Sequence, residues 1–219
     1  MSAASVVSLV PSVTETLLAV GVTPLACTRF CEQPALPHVG GTKNPDISAV
    51  AALAPDVVVV NDEENRIEDV EELRALGLAV HDMSPRTVGD VGPAVAALAE
   101  RVGVAVPEPF GRWTEWLAAQ PAPGKRMLVF VPIWRRPWMT MSADTYGSSL
   151  LGLLGWDNVF AASETRYPET TLEEAAGRRP DAVLLPTEPY SFRPAHFDEV
   201  AAAIPAAAVS AVDGQDLFW

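Results

Sequence analysis

The chain of 219 residues has little positive charge: 15 Lys and Arg residues stand against 28 Asp and Glu residues, and the formal net charge is −13. Such a chain repels nucleic-acid phosphates and anionic lipid headgroups, so we predict no nucleic-acid partner. No apolar run approaches the ~20 residues that span a bilayer, so we predict no membrane insertion. Small ligands and basic protein surfaces remain as partners.

Residues typical of metal sites and catalytic centres are also scarce. The three histidines, His38, His81 and His196, are scattered along the chain. A nucleophile elbow, a His-Glu-x-x-His helix and a closely spaced Asp/His cluster are all missing, so we predict no catalytic residues, no metal ligands and no enzyme. The two cysteines, Cys27 and Cys31, fit a disulfide, an incomplete metal site or two thiols beside a loop, and we favour the thiols.

Hydrophobic residues make up 49% of the chain and follow patterns that alternate between strand and helix. The run "SVVSLV" predicts a strand, and Ser12 with Glu15 three residues later predicts a capping box at the start of the next helix. The runs "DVVVV", "RMLVFV" and "DAVLL" are typical of parallel strands covered on both faces. Strands that alternate with helices predict a parallel α/β fold.

One phrase of the sequence occurs twice. A proline-aspartate pair precedes a buried apolar run at Asp56 and again at Asp181, 125 residues later. At the same offset, a predicted helix begins at Ile47 and at Leu172. The repeat unit is too long for a solenoid, so we predict two pseudo-equivalent parallel-sheet lobes.

The segment between the lobes has no strand pattern. "TVGDVGPAVAALAERVG" predicts one amphipathic helix, and "PEPFGRWTEWLAAQ" predicts a second, from about Pro107 to Ala119. We therefore predict an N-terminal α/β lobe at residues 1–84, a helical connection at 85–125 and a C-terminal α/β lobe at 126–219. The ligand cleft is expected between the lobes.

Ligands of parallel sheets bind beyond the carboxyl ends of the strands, where loops and helix N-termini present free N–H groups. Unusual residues follow four predicted strands, two in each lobe. In the first lobe these are Pro11 with Ser12, and residues 61–66. In the second they are "PTEPYSF" and "PIWRRPWMTMSADTY". The latter combines Trp134 and Trp138 with two arginines, which is typical of a loop that lines a ligand site.

The run "GGTKNPD" lacks the spacing of a phosphate-binding loop. We expect Gly40 and Gly41 to form a tight loop with positive φ. Two environments stay open for Lys43, which is either solvated or in contact with the ligand.

Five segments in order resemble the helical-backbone substrate-binding proteins of ABC importers, in their cobalamin-binding and iron-chelate-binding branch. They are "VVSLVPSVTETLLAVG", "VGGTKNPDISAVAALAPDVVVVNDEENR", "VFVPIWRRPWMTMSADTYGSSLLGLLG", "YPETTLEEAAGRRPDAVLLPTEPY" and "VDGQDLFW". The resemblance covers nearly the whole chain. It implies two α/β lobes bridged by a long helix, with a corrinoid or metal chelate held between them.

The resemblance also implies roles for individual residues. Residues at the ligand or the cleft rim would be Pro11, Ser12, Thr42, Lys43, Glu64 and Asn65 of the first lobe, and Trp134, Trp138, Tyr146 and Tyr190 of the second. Glu63 and Glu188, which fall at the same offset of the repeat, would dock into basic pockets of the membrane permease. The alternative for both is a solvated carboxylate beside a helix start.

The predicted function is non-catalytic binding of a corrinoid such as cobalamin and its delivery to an ABC permease, by a monomer without an intrinsic cofactor. One alternative is a ferric-siderophore or haem-binding protein, with Tyr146 or Tyr190 as haem ligand. Others are a cytosolic corrinoid-handling enzyme or domain, and a pure interaction module.

The resemblance implies the periplasm or the extracellular face. The first twenty residues predict a strand and a helix rather than a secretory signal, which keeps the cytoplasm open.

Overall fold

A computed structural model describes residues 3–218, which form two compact units. The first unit takes the chain as far as Pro85 together with Gly89–Ala119, and the second takes Arg86–Val88 and the chain from Gln120 onward. Each unit has its own four-stranded parallel sheet with helices on both faces. The predicted α/β class with two parallel-sheet lobes is confirmed. Within residues 3–218, no helix is long and apolar enough to cross a membrane.

The first unit contains four strands in the spatial order β2-β1-β3-β4, all parallel. Its elements are β1 (Val6–Ser8), α1 (Pro11–Ala19), β2 (Ala26–Cys27), α2 (Ile47–Ala52), β3 (Val57–Val60), α3 (Ile67–Ala75), β4 (Val80–Asp82), α4 (Val88–Val102), a 3-10 turn (Phe110–Arg112) and α5 (Trp113–Ala118).

All four valines of β3 are buried because both faces of the sheet are covered. Val57 and Val59 pack on α1 and α4, whereas Val58 and Val60 pack on α2 and α3. Successive side chains of a strand point to opposite faces, so a strand in this position needs an apolar residue at every place. This burial accounts for the uninterrupted valine run.

Two predictions about helices differ from the structure. The capping box at Ser12 does not form, because α1 begins at Pro11 with Val10 as N-cap residue and no side-chain cap. Proline suits the first helical position, where no N–H is needed. The helix predicted over residues 107–119 is shorter than expected, since the chain makes a 3-10 turn and then the six-residue helix α5. The residue before a proline is restricted away from the helical region, so Pro109 and the flexible Gly111 delay the helix to Trp113.

The second unit contains a four-stranded parallel sheet in the order β10-β9-β5-β7 and a two-stranded antiparallel sheet, β6-β8. Its elements are β5 (Met127–Phe130), β6 (Trp138–Met139), α6 (Tyr146–Leu153), β7 (Trp156–Asn158), β8 (Glu169–Thr170), α7 (Leu172–Gly177), β9 (Ala182–Pro186), α8 (Pro194–Ala203), β10 (Ala208–Val212) and α9 (Gly214–Phe218). Read as β7-β5-β9-β10, the strand order is that of the first unit.

The repeated phrase has a structural role at the amino ends of the central strands β3 and β9. In each unit the residue before the proline has a left-handed backbone, with φ 45° at Ala54 and φ 53° at Arg179. The carboxylate of Asp56 accepts the N–H of Ser5 at 2.7 Å, just before β1. The carboxylate of Asp181 accepts the N–H of Leu128 at 2.8 Å, in β5. The repeated aspartate thus attaches each central strand to its neighbour.

We expect Asp181→Ala to lower the free energy of unfolding by about 1 kcal/mol, because the N–H of Leu128 loses a charged acceptor at the start of the sheet. Urea unfolding followed by circular dichroism measures the effect. Asp198→Ala, which truncates an exposed aspartate on α8, is the matched control. Equal unfolding free energies for the two variants would contradict a structural role for Asp181.

Candidate functional site

In the second unit, the segments that follow β5 and β9 leave the sheet at the same edge. The two strands are parallel neighbours, with Val129 opposite Ala182. Parallel neighbours have their carboxyl ends at one edge of a sheet, which is where ligands of such sheets bind. Two of the four predicted site segments, residues 132–146 and 186–192, therefore begin side by side.

The segment after β5 is a hairpin rather than an open loop. The N–H of Ile133 donates to the carbonyl of Met139 at 2.9 Å, and the N–H of Met139 donates to the carbonyl of Trp134 at 3.1 Å. Its second arm is β6, in which Trp138 pairs with Thr170 of β8. These backbone bonds hold both tryptophans at defined positions.

The rings of the two segments meet in a set that we term the aromatic face, namely Trp134, Trp138, Tyr190, Phe192 and His196. The Trp134 ring meets Tyr190 edge-on, with centroids 5.4 Å apart, and Tyr190 lies 4.8 Å from Phe192. Phe192 stacks on Trp138 at 5.9 Å, and the His196 ring lies 5.6 Å from Tyr190. The structure thus brings together three of the four site residues predicted in this lobe.

Members of the aromatic face differ in exposure. Trp134 is 44% exposed, whereas Trp138, Tyr190 and Phe192 are half-buried. A large ring that is fixed by its neighbours and still open to solvent offers flat apolar surface at little further cost in conformational freedom. Trp134 is therefore the ring of this face best placed to contact a ligand.

Sequence reasoning missed Phe192 and His196 as members of this face. Phe192 follows Tyr190 by two residues, and residues two apart in an extended segment lie on the same side, which is a signal that could have identified it. His196 is half-buried beside the other rings. Its Nδ1 accepts the N–H of Arg193 at 3.0 Å in the first turn of α8, so the ring is a hydrogen-bonded helix cap.

Tyr146 lies apart from the aromatic face. It is the first residue of α6, after the capping residue Thr145, whose hydroxyl accepts the N–H of Ser148. Within the described residues, no ring contact joins Tyr146 to the aromatic face. Burial raises the pKa of the Tyr146 phenol, so its neutral form is favoured.

In the first unit, the side chain of Asn65 joins three loops, namely the end of β1, the loop that carries Thr42 and the loop after β3. Its Nδ2 donates to the carbonyls of Leu9, at 3.2 Å, and Thr42, at 3.0 Å, and its Oδ1 accepts the N–H of Asn61 at 2.9 Å. Asn65 and Thr42 are only 5% and 7% exposed. Asn65 is therefore occupied in holding the loops together, and any ligand contact at this edge falls to more exposed neighbours.

The loop after β3 is closed by its own side chains and by a lysine. Oδ1 of Asn61 accepts the N–H of Glu63 at 2.7 Å and that of Glu64 at 3.3 Å. Nζ of Lys43 donates to the carbonyl of Glu63, so the lysine links the two loops. Lys43 and Glu63 are exposed, and Glu64 and Ser12 are half-buried, whereas Pro11 is buried.

Gly40 is required by the loop that carries Thr42 and Lys43. It has φ 90°, and a Cβ there would lie 2.6 Å from the carbonyl oxygen of Asn44. The predicted positive φ is confirmed at Gly40 and is wrong at Gly41, which lies outside the left-handed region. At Gly41 close packing is the constraint instead, since a Cβ would come within 3.0 Å of the Arg29 side chain.

Glu188 follows β9 as Glu63 follows β3, but its surroundings differ. It is half-buried, whereas Glu63 is exposed. The backbone beside it is attached to the end of β10, because Thr187 donates its N–H to the carbonyl of Val212 and accepts the N–H of Gly214. A Cβ at Gly214 would lie 2.7 Å from the Glu188 carbonyl oxygen, so only glycine allows this approach.

Both cysteines are buried free thiols, which confirms the favoured prediction. The sulfur of Cys31 contacts the hydroxyls of Thr14, at 3.3 Å, and Thr28, at 3.2 Å. Burial and the neighbouring Cys31 raise the pKa of Cys27 to about 12, so its thiol stays protonated at neutral pH. Across residues 3–218, no three His, Cys, Asp or Glu side chains are grouped to hold a metal ion.

We expect Asn65→Asp to lower the free energy of unfolding by about 2 kcal/mol, because a carboxylate oxygen would face the carbonyls of Leu9 and Thr42 without a proton to donate. Urea unfolding measures the loss. Glu64→Gln, a change of similar size at the adjacent and less buried residue, is the control. An Asn65→Asp variant as stable as this control would show that Asn65 does not hold the three loops.

Comparisons with known proteins agree with this architecture. No family model matches the chain. It is 24% identical over 190 residues to a vitamin B12-binding protein of Vibrio cholerae, a match that covers 82% of this chain and 69% of that protein.

Among solved structures, the periplasmic vitamin B12 binding protein BtuF of Vibrio cholerae superimposes with a TM-score of 0.79 at 22% identity, covering 98% of this chain and 89% of the other. The periplasmic heme binding protein HutB of the same organism gives a TM-score of 0.72 at 23% identity, covering 98% and 91%. The chain has the fold of these periplasmic binding proteins, and the resemblance found in the sequence motifs is confirmed.

Proposed function

We propose that this protein is a non-catalytic binding protein for a corrinoid of the cobalamin type and delivers it to an ABC importer at the periplasmic or extracellular face of the membrane. The observation that carries the proposal is the aromatic face, on which Trp134 is 44% exposed and fixed by Tyr190. The vitamin B12-binding proteins among its relatives support the choice of ligand.

The aromatic face suits a broad, flat, largely apolar ligand. A corrin ring placed on Trp134 would cover an exposed indole surface, and the edge contact with Tyr190 would keep that indole from turning away. Because the rings already contact one another, binding orders few additional side chains. In the first unit, taken by itself, Ser12, Lys43 and Glu64 stay the predicted polar contacts of a ligand.

A haem with an open iron coordination site is the second candidate ligand, and the HutB likeness favours it. Two side chains that could ligate iron, Tyr146 and His196, argue against it, whereas Tyr190 stays open as a haem ligand. Tyr146 lies apart from the aromatic face, and burial raises the pKa of its phenol. Nδ1 of His196 already accepts the N–H of Arg193. The neutral ring therefore carries its proton on Nε2, and neither ring nitrogen has a lone pair available for iron unless the helix cap is broken. A chelate that needs no protein ligand suits these side chains better.

Trp134→Ala is expected to weaken cobalamin binding by about 10-fold to 100-fold, because the variant loses the exposed ring that the macrocycle would cover. Tryptophan fluorescence and calorimetric titration with cobalamin, cobinamide and haem measure the affinities. Trp116→Ala is the matched control, since Trp116 is 40% exposed but stacks on Trp113 and is not part of the aromatic face.

The proposal fails if the wild-type protein binds haem or a ferric siderophore and no corrinoid. It also fails if Trp134→Ala and Trp116→Ala bind cobalamin equally well, because the ligand would then lie elsewhere. Turnover of a corrinoid by the purified protein would instead favour an enzyme.

We also propose that Glu63 and Glu188 dock the protein on its permease. Replacing both with alanine should weaken association with the corrinoid permease in nanodiscs and leave cobalamin affinity unchanged, because carboxylates of this kind steer and orient a partner surface. Glu72→Ala with Glu173→Ala removes one exposed helical glutamate from each unit and serves as the control. A loss of cobalamin affinity in the first pair would assign these carboxylates to the ligand site instead.

A further inference from the structure

Arg135 forms a double hydrogen bond between the hairpin and α8. Its Nε and Nη2 donate to Oε2 of Glu199 at 3.0 and 2.8 Å. The Arg135 side chain is 15% exposed, and that of Glu199 is 37% exposed. The two residues are 64 positions apart in the sequence, so the pair joins the segment after β5 to the helix that follows β9.

The same guanidinium contacts the aromatic face. It lies over the Trp138 ring, 5.7 Å from the ring centroid. Trp138 also stacks on Phe192, with an angle of 8° between the ring planes. Two neighbours therefore occupy the surface of Trp138, which leaves it less free for a ligand than Trp134.

Rigidity of the aromatic face depends on two separate chain segments. Trp134 and Trp138 belong to the hairpin, whereas Tyr190, Phe192 and His196 belong to the segment between β9 and the first turn of α8. A paired, mostly buried arginine is strongly held, because breaking the pair leaves an uncompensated charge in a poorly solvated place. The Arg135–Glu199 pair is placed to keep the two segments in a single arrangement.

We infer that Arg135 is a positioning residue, which through Glu199 and Trp138 fixes the ring geometry of the aromatic face so that Trp134 meets the ligand and Trp138 supports it. The consequence for affinity depends on the proposed function. The consequence for ring geometry does not, because it can be measured without ligand.

The first experiment compares Arg135→Ala with Arg126→Ala. Arg126 also makes a double hydrogen bond within the second unit, to Asp157, but at the beginning of β5, away from the aromatic face. A Trp138→Phe variant shows which part of the near-UV circular dichroism spectrum arises from the Trp138 ring and the rings that contact it. Arg135→Ala should lose that signal and weaken cobalamin binding about tenfold, a change typical of a broken coupled pair. Arg126→Ala should change neither.

A second set of variants separates positioning from a general loss of stability. Glu199→Ala should reproduce both effects of Arg135→Ala, and the double variant should be no worse than either single one, because all three lack the same pair. Glu199→Gln keeps the shape of the side chain and should give a smaller loss. It also serves in place of Arg135→Ala if thermal unfolding shows that the alanine variant does not fold.

The inference is overturned if Arg135→Ala keeps the near-UV signal of the wild type, or if the losses of the single variants add in the double one. If the wild-type protein binds no corrinoid, the proposed function fails, and the near-UV comparison alone decides the positioning role. If corrinoid binds and the signal is unchanged in Arg135→Ala, only the positioning role fails.

Discussion

The parallel register between the two central strands of each unit determines where the candidate residues lie. In the second unit Val129 faces Ala182, and the segments after both strands leave at one edge of the sheet. A slip of one residue would turn every side chain of a strand to the opposite face. Asp181 opposes such a slip, since its carboxylate holds the N–H of Leu128 at the far end of the same strands. Trp134 and Tyr190 meet because the strands that precede them are held in this register.

Local patterns predicted most of the fold. The β-branched runs became buried central strands, and α2 and α7 begin at Ile47 and Leu172 as expected. The repeat was visible because each unit needs the same turn from helix to strand, with a left-handed residue, a proline and a strand-joining aspartate. Within the site, the combination of aromatic residues, proline and arginine after β5 predicted Trp134 and Trp138. The resemblance implied Tyr190, which the structure places on the same face.

The misses have physical causes that a linear pattern does not show. Pro11 started α1 one residue before Ser12 and so displaced the expected cap. The helical periodicity of residues 107–119 was real, yet Pro109 and Gly111 oppose helix in its first half. Asn65 bonds to Leu9, 56 residues away, and Arg135 bonds to Glu199, 64 residues away, so both partnerships depend on the tertiary fold. The positions of Phe192 and His196 in the aromatic face also depend on the tertiary fold.

The protein has the fold of periplasmic binding proteins, and one exposed tryptophan of its aromatic face is fixed by its neighbours. Under the proposed function, this face selects a corrinoid over other metal chelates. Native mass spectrometry of the purified protein with an equimolar mixture of cobalamin, cobinamide, haem and a ferric siderophore measures this selectivity. We expect a one-to-one corrinoid complex as the dominant bound species, strongly reduced in Trp134→Ala. A dominant haem or siderophore complex, or a corrinoid complex that does not depend on Trp134, would contradict it.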